Sequence, residues 1–436
     1  MPESRSTPLK TFAIDSIAAT PYVEKVIANL RSTTTIRARA TALLTRARRG
    51  ESAWFTVNDS AMLTTAILVA ELTRVRFPHL TIPYHSRWRH FEAGGVDRAG
   101  QLDAALGRVS PAARARAQID LALVSVLLDA GAGPDWAYCE SEPSSPCRHE
   151  YSRSEGLGVA SFHAFMSGLF SSDTASPFQA DAQGLQAISA RALGDAFQVT
   201  SANPLVGLEG RAALLRRLGQ ALEDQPTLFG KPGRPGHLFD WLAGNDSQSQ
   251  SSIRAHDLLS VLLTGLAPIW PAQNAIENIA LGDCWRHSAI TGDGPDDLSA
   301  GWMPFHKLSQ WLTYSMLEPF EWAGVKVEGL SELTGLPEYR NGGLFLDAGV
   351  LRLTDPAQAS KPHAAADELI VEWRALTVAL LDELAPLVRQ QLGLTESQLP
   401  LACVLEGGTW AAGRALAQQL HQGLPPLNII SDGTVF

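Results

Sequence analysis

The feature that most restricts the fold is a long helical pattern near the C-terminus. Residues 366–390, ADELIVEWRALTVALLDELAPLVRQ, place large apolar side chains three or four positions apart. This spacing follows the turn of an α-helix and predicts an apolar stripe that faces a core. The stripe consists of Leu369, Trp373, Leu376, Leu380, Leu384 and Leu387. Strand-type alternation is rare elsewhere, so we expect a mainly α fold with a short β-hairpin at residues 343–353.

Helical spacing also predicts helices within residues 19–75, 154–224 and 299–322. Another is predicted at residues 111–130, with a proline at its start and a glycine after its end. No internal repeat is visible, and we expect residues 1–436 to form one unit. Within it, the polar segment 244–252, GNDSQSQSS, is either a boundary between two lobes, 1–243 and 253–436, or a surface loop.

Composition excludes several classes of protein. The chain has 436 residues, of which 45% are hydrophobic and 18% charged, which predicts a large core rather than disorder. A net charge of −10 argues against a nucleic-acid partner. The start, MPESRSTPLKTF, lacks an apolar signal core, and the apolar run 121–128 is too short to span a membrane. We therefore expect a cytoplasmic enzyme that acts on a small molecule.

Two segments carry candidate binding groups. If PYHSRWRHF, residues 83–91, is extended, then His85, Arg87 and Arg89 point to one side and suit a phosphate or carboxylate. The alternative is that these side chains fasten a loop to the body through ion pairs. One face of the predicted helix in PFHKLSQWLTY carries Lys307, Gln310, Trp311 and Tyr314. These side chains either line a pocket or belong to an ordinary amphipathic helix.

Three further motifs carry charges. In GLPEYRNGG, Pro337 stiffens the turn before Glu338, which is either a catalytic carboxylate or a turn acid paired with Arg340. In ELIVEWRALTV, two charges inside an apolar helix, Glu372 and Arg374, indicate structural ion pairs. GDCWRH contains Asp283, Cys284 and His287. These residues give a weak indication either of a metal site, with His306 as a fourth ligand, or of a cysteine–histidine nucleophile.

Several long segments together resemble a known family. They are PYHSRWRHFEAGGVDR, FHKLSQWLTYSMLEPFEWAG, GLPEYRNGGLFLDAGVL and LEGGTWAAGR. These segments are similar to the uracil-catabolism protein 4 family, also called the domain of unknown function 1688 family. The resemblance implies a route that first converts uracil to its nucleotide and then breaks the ring while it is attached to ribose. A ribosylurea-type intermediate on that route must lose its sugar.

A weaker resemblance covers the last third of the chain. Residues 305–312, 338–340 and 371–376 are similar, in the same order, to segments of the queuosine-nucleotide N-glycosylases. That resemblance implies a helical fold like the helix-hairpin-helix DNA glycosylases, a turn carboxylate that hydrolyses the glycosidic bond, and a lysine at the nucleotide site. The matching residues are Glu338 and Lys307, although Glu338 stands where that family has aspartate.

The implied activity is that of an N-glycosidase-type hydrolase that releases urea or a base-derived group from a ribosyl or ribosyl-phosphate intermediate. Glu338 would stabilise charge on the sugar carbon and orient water, and Tyr314, Tyr339 or His306 would supply a proton. We assign catalysis to Glu338 and Tyr339. The predicted substrate- or phosphate-binding residues are Lys307, His85, Arg87, Arg89, His306, Gln310, Trp311, Tyr314 and Arg340.

Two other functions stay open. One is an amidohydrolase that opens a ureido intermediate with a metal at Asp283, Cys284 and His287. The other is a non-catalytic protein that binds a uracil-derived nucleotide. In the favoured hypothesis we expect no cofactor, no metal, no nucleic acid and no membrane, and the oligomeric state is not predicted.

Overall fold

The computed structural model describes residues 20–141, 148–244, 251–270, 274–292, 294 and 296–430. Helices dominate this part of the chain, which confirms the mainly α prediction. The α-helices are α1 Pro21–Leu30, α2 Thr33–Arg48, α3 Met62–Arg76, α4 Trp88–Phe91, α5 Arg98–Leu106, α6 Pro111–Leu127, α7 Arg153–Met166, α8 Ala182–Gln186, α9 Ala190–Ala196, α10 Leu208–Asp224, α11 Pro226–Phe229, α12 His237–Ala243, α13 Ala255–Gly265, α14 Lys307–Trp322, α15 Tyr339–Asp347, α16 Glu368–Leu392, α17 Leu401–Val404 and α18 Trp410–His421. A π-helical turn, Leu405–Thr409, joins α17 to α18.

The strands in these residues are short and form two-stranded pairs. They are β1 Phe55–Val57, β2 Ala137–Ser141, β3 Arg148–Ser152, β4 Ser252–Arg254, β5 Ala275–Ile276, β6 Ile279–Ala280, β7 Cys284–Arg286, β8 Trp302–Pro304, β9 Lys326–Glu328, β10 Leu351–Leu353, β11 Pro362–His363 and β12 Asn428–Ile429. The pairs β1–β10, β2–β3, β5–β6 and β7–β8 are antiparallel, and β4–β9 and β11–β12 are parallel.

The hairpin predicted at residues 343–353 is wrong in its position. Residues 343–347 belong to α15, and β10 pairs with β1, which lies far away in the sequence. The Glu338 side chain caps the first turn of α15, which favours a helix that begins at Tyr339. Glycine is present at position 342 of this helix because a Cβ atom there would overlap the Trp373 ring of α16.

The core surrounds α6, α14 and α16. Helix α14 lies against α6, and α16 lies against α2 and α3. Apolar side chains from Ile36 to Leu427 form one continuous cluster, to which both predicted lobes contribute. The predicted lobe boundary falls mostly on residues 245–250, and the N-terminal segment falls on residues 1–19; both lie outside the described residues. Among the described helices, none is long and apolar enough to cross a membrane.

The contact between α15 and α18 allows a test of the fold. A Cβ atom at Gly413 of α18 would overlap the carbonyl oxygen of Arg340 on α15. Alanine normally stabilises a helix by about 1 kcal/mol relative to glycine. We nevertheless expect G413A to lower the free energy of unfolding by about 1–3 kcal/mol, because the two helices must separate.

Urea denaturation measures this free energy. The control is A415G at an exposed position of the same helix, which should cost about 1 kcal/mol through propensity alone. A stabilised G413A protein would contradict the close contact between α15 and α18.

Candidate active site

Glu338 lies at the N-terminus of α15 and is half-buried. Its carboxylate accepts hydrogen bonds from the backbone N–H groups of Arg340, at 2.6 Å, and Asn341, at 2.5 Å. Burial raises the pKa of Glu338, whereas these two N–H groups and the charges of Lys307 and His85 lower it. The net result is a pKa above the ordinary glutamate value, on a carboxylate that the helix holds in place.

Lys307 is the first residue of α14, and acidic side chains lie within electrostatic reach of its amino group. Its charge interacts with the carboxylates of Glu338, Asp129 and Asp283. Burial lowers the pKa of Lys307, and these carboxylates offset part of that effect. The lysine and the turn carboxylate, on which the predicted chemistry depends, therefore lie within electrostatic reach of each other.

A buried ion pair fixes the start of α14 relative to the turn before Glu338. Arg374 of α16 donates two hydrogen bonds of 2.7 Å to the carboxylate of Asp283. Asp283 also accepts the backbone N–H of Lys307 at 2.9 Å, and Arg374 donates from Nε to the Pro337 carbonyl at 3.3 Å. Burial opposes ionisation of Asp283, but Arg374 and the other donors outweigh it and hold the pKa of Asp283 well below its usual range.

Gln310 and Tyr314 of α14 hold the segment that leads to Glu338. The Gln310 side chain donates to Thr334 Oγ1 at 2.8 Å and accepts from the Thr334 backbone N–H at 3.2 Å. The buried Tyr314 hydroxyl donates to the Thr334 carbonyl at 2.8 Å. Both polar groups were predicted to bind substrate, but in the structure they form hydrogen bonds with the side chain and the backbone of Thr334.

His306 and Arg340 also have protein partners. The buried His306 ring contacts the Leu30 carbonyl through Nε2 at 2.9 Å, and burial lowers its pKa to about 4, so the ring is neutral. The buried guanidinium of Arg340 donates to the Gly423 carbonyl at 3.2 Å and lies 4.7 Å from the centre of the Tyr339 ring. Tyr339 itself is partly exposed, and its phenol interacts with the charge of Glu338.

Residues 83–91 are not extended throughout, as the anion-binding interpretation required, because Trp88–Phe91 form helix α4. Trp88 and Phe91 are both buried, and one turn of helix, α4, brings their rings to 5.3 Å. The three basic side chains therefore do not share one side, and each contacts a different carboxylate. His85 contacts Glu406 at 2.8 Å, Arg87 contacts Asp129 at 3.1 Å, and Arg89 contacts Glu318 at 2.6 Å.

Arg87 and Trp311 belong to a polar cluster with two residues that the sequence did not single out, Asp129 and His90. The Arg87 guanidinium lies 5.6 Å from the centre of the Trp311 ring, and the His90 ring lies 5.8 Å from it, edge to face. Asp129 follows α6, where the sequence showed only a charge that ends an apolar run. His90 stood in the PYHSRWRHF segment, but the assumed alternation pointed it away from the other basic groups.

These observations allow comparison with known proteins. A family model described as "Protein of unknown function (DUF1688)" matches residues 29–436. The chain belongs to this family. The resemblance that its segments indicated is thereby confirmed.

Two relatives align over most of their length. The chain is 40% identical over 421 residues to Protein urg3 of Schizosaccharomyces pombe, an alignment that covers 94% of this chain and 99% of the relative. It is also 40% identical over 384 residues to Uracil catabolism protein 4 of Lachancea kluyveri, with 82% and 85% coverage.

The alternative metal ligands of this family member do not converge. Asp283 faces Arg374, whereas His287 contacts Glu372 of α16 at 3.0 Å. The Cys284 thiol is buried, which raises its pKa and keeps it protonated. In the described ranges, no group of three or more histidine, cysteine or carboxylate side chains has the arrangement of a metal site.

The Asp283–Arg374 pair gives a second prediction. R374M leaves a buried carboxylate without its guanidinium, so we expect the free energy of unfolding to fall by about 3–5 kcal/mol in urea denaturation. The double variant D283N/R374M should recover part of this loss. The pKa of Asp283 is depressed, so its contribution is present above the ordinary aspartate pKa of about 3.9 and disappears as the pH falls through the lower folded value.

The matched control is R254M, which breaks a more exposed pair with Glu332 and should cost about 0–1 kcal/mol. Equal losses in R374M and R254M at neutral pH would show that the buried pair does not fix these helices.

Proposed function

We propose that this protein is an N-glycoside hydrolase of uracil catabolism, which cleaves the bond between ribose and a urea-type nitrogen. The observation that carries the proposal is the Glu338 carboxylate, which two backbone N–H groups hold within electrostatic reach of Lys307 and Tyr339. The name of the Lachancea kluyveri relative, Uracil catabolism protein 4, supports the pathway.

The chemistry requires a negative charge near the anomeric carbon. As the C–N bond of the glycoside breaks, positive charge develops on that carbon, and a fixed carboxylate stabilises it without rearrangement. Glu338 also accepts a proton from the attacking water, whose oxygen forms the new bond to the anomeric carbon. The electron pair of the broken bond stays on the leaving nitrogen.

The leaving nitrogen needs a proton, and we assign its donor to Tyr339. Tyr314 and His306 are held by the carbonyl groups of Thr334 and Leu30. Burial raises the pKa of Tyr339, and the charge of Glu338 raises it further, so the hydroxyl is protonated at neutral pH. The proton that Glu338 takes from water restores this hydroxyl after the bond has broken.

A 5′-phosphate on the substrate would be bound by Lys307. Arg87 and Arg89, which the sequence also suggested for this role, are paired with Asp129 and Glu318. Exposed Arg153, at the start of α7, interacts with the phenol of Tyr339 and adds positive charge on the same side of the site.

The central test is urea release from N-ribosylurea and its 5-phosphate. E338Q retains an oxygen that can cap α15 but loses the charge. We therefore expect turnover to fall by about 10²–10⁴-fold, while the free energy of unfolding changes by about 1 kcal/mol or less.

The control for this test is E396Q, which removes an exposed carboxylate and should leave turnover unchanged. Full activity of E338Q, or the absence of urea release from both compounds by the wild type, would refute the proposal.

The pH dependence gives a further prediction. Glu338 must be ionised, and its pKa is raised, so activity should fall on acidification with an apparent pKa above the ordinary glutamate value. Lys307 favours the ionised carboxylate, so K307M should move this acid limb to higher pH. It should also raise KM more for the 5-phosphate than for N-ribosylurea.

Initial rates from acidic to neutral pH measure the limb, and K361M, which removes an exposed lysine, is the control. An acid limb that K307M leaves in place would show that Lys307 does not act on the catalytic carboxylate.

A further inference from the structure

The polar cluster of Asp129, Arg87, His90 and Trp311 contains buried polar atoms that the protein leaves without hydrogen bonds. They are Arg87 Nη2, His90 Nδ1 and Trp311 Nε1. Asp129 Oδ1 lies 3.1 Å from Arg87 Nη1, close enough for an ion pair, but it accepts no hydrogen bond of normal geometry. Each buried polar atom without a partner costs about 1–3 kcal/mol, so a group of them in one place points to a ligand.

The surroundings of the cluster hold these groups in place. Arg87 is fully buried and donates from Nε to Ser125 Oγ at 2.6 Å and from Nη1 to the Ser154 carbonyl at 3.2 Å. Gly158 of α7 lies against the backbone of His90, where a Cβ atom would come within 2.8 Å of the His90 Cβ. The unsatisfied atoms therefore belong to rigid side chains in the core.

The chemistry of the cluster indicates a neutral ligand with both donors and acceptors. Trp311 Nε1 and Arg87 Nη2 can only donate, whereas Asp129 Oδ1 can only accept when ionised. Burial and the charge of Arg87 lower the pKa of His90 to about 4, so its ring is neutral. A phosphate or carboxylate would be repelled by Asp129, whereas the C=O and N–H groups of a urea or amide match both kinds of partner.

The cluster is linked to the proposed catalytic residues through helix α14 and through the charge of Asp129. The charge of Asp129 interacts with the ammonium of Lys307 and with the phenol of Tyr339. Lys307 interacts in turn with Glu338, and Trp311 lies one helical turn after Lys307 on α14. A group bound against Trp311 would therefore lie one helical turn from Lys307.

We infer that this cluster is the subsite for the leaving group and that it selects a ureido or primary amide group. Trp311 Nε1 and Arg87 Nη2 donate to the carbonyl oxygen of the ligand, and Asp129 accepts its N–H. The inference rests on the proposed function for its place in the reaction, but the subsite can bind its ligand without turnover.

The test is equilibrium dialysis of radiolabelled N-ribosylurea, with E338Q as the parent protein so that the ligand is not consumed. W311F keeps a six-membered aromatic ring but removes the five-membered part of the indole, including an N–H that has no protein partner. It should therefore weaken binding of N-ribosylurea by about tenfold or more, the value of one hydrogen bond, and leave binding of ribose 5-phosphate unchanged.

The control is W302F, since Trp302 also has a buried indole N–H without a partner, but lies on β8 in a separate apolar cluster. W302F should bind both compounds like the parent. A second variant, D129N, should also weaken binding of N-ribosylurea, and its melting temperature shows whether the protein remains folded without the charge.

The outcomes separate the two proposals. Equal binding of N-ribosylurea by W311F and W302F, or no binding by the parent, overturns the subsite even if the wild type releases urea. Binding that W311F weakens selectively supports the subsite even if the wild type releases no urea, in which case only the proposed hydrolysis fails.

Discussion

The buried pair of Asp283 and Arg374 determines where the candidate chemistry can occur. Asp283 accepts the N–H at the start of α14, and Arg374, on the central helix α16, also donates to the carbonyl before Glu338. One ion pair therefore joins three segments that are remote in sequence. Each partner satisfies the other in the core, where an unpaired charge would be strongly destabilising. The core, rather than a surface loop, therefore positions both the start of α14 and the turn before Glu338.

The charges around the site form an almost neutral set of pairs. Asp283 is balanced by Arg374 and Asp129 by Arg87, and the charge of Lys307 favours the ionised form of Glu338. An acidic chain can therefore contain a site that accepts a small polar ligand without strong attraction or repulsion. In such surroundings, the largest electrostatic change during a reaction is the charge that develops on the ligand itself. A carboxylate that is already fixed responds to that change at no cost of reorganisation.

Much of the fold could be predicted from local pattern, whereas the contacts of the site could not. The apolar period predicted α16 at residues 366–390, and it is observed at Glu368–Leu392. Local pattern did not predict the helix at Trp88–Phe91, because the burial of Trp88 and Phe91 decides the backbone there and depends on tertiary contacts. Asp129 looked only like the charge that ends an apolar run, since nothing local reveals its ion pair with Arg87.

The position of Glu338 bears on the glutamate–aspartate difference from the queuosine-nucleotide N-glycosylases. Both of its oxygens accept backbone N–H groups of α15, so the helix, rather than the length of the side chain, fixes the carboxylate. Each carboxylate oxygen has a further lone pair after capping, which leaves one for water and one to face a sugar carbon. Capping and catalysis are therefore compatible in one residue, and the cap supplies the rigidity that catalysis requires.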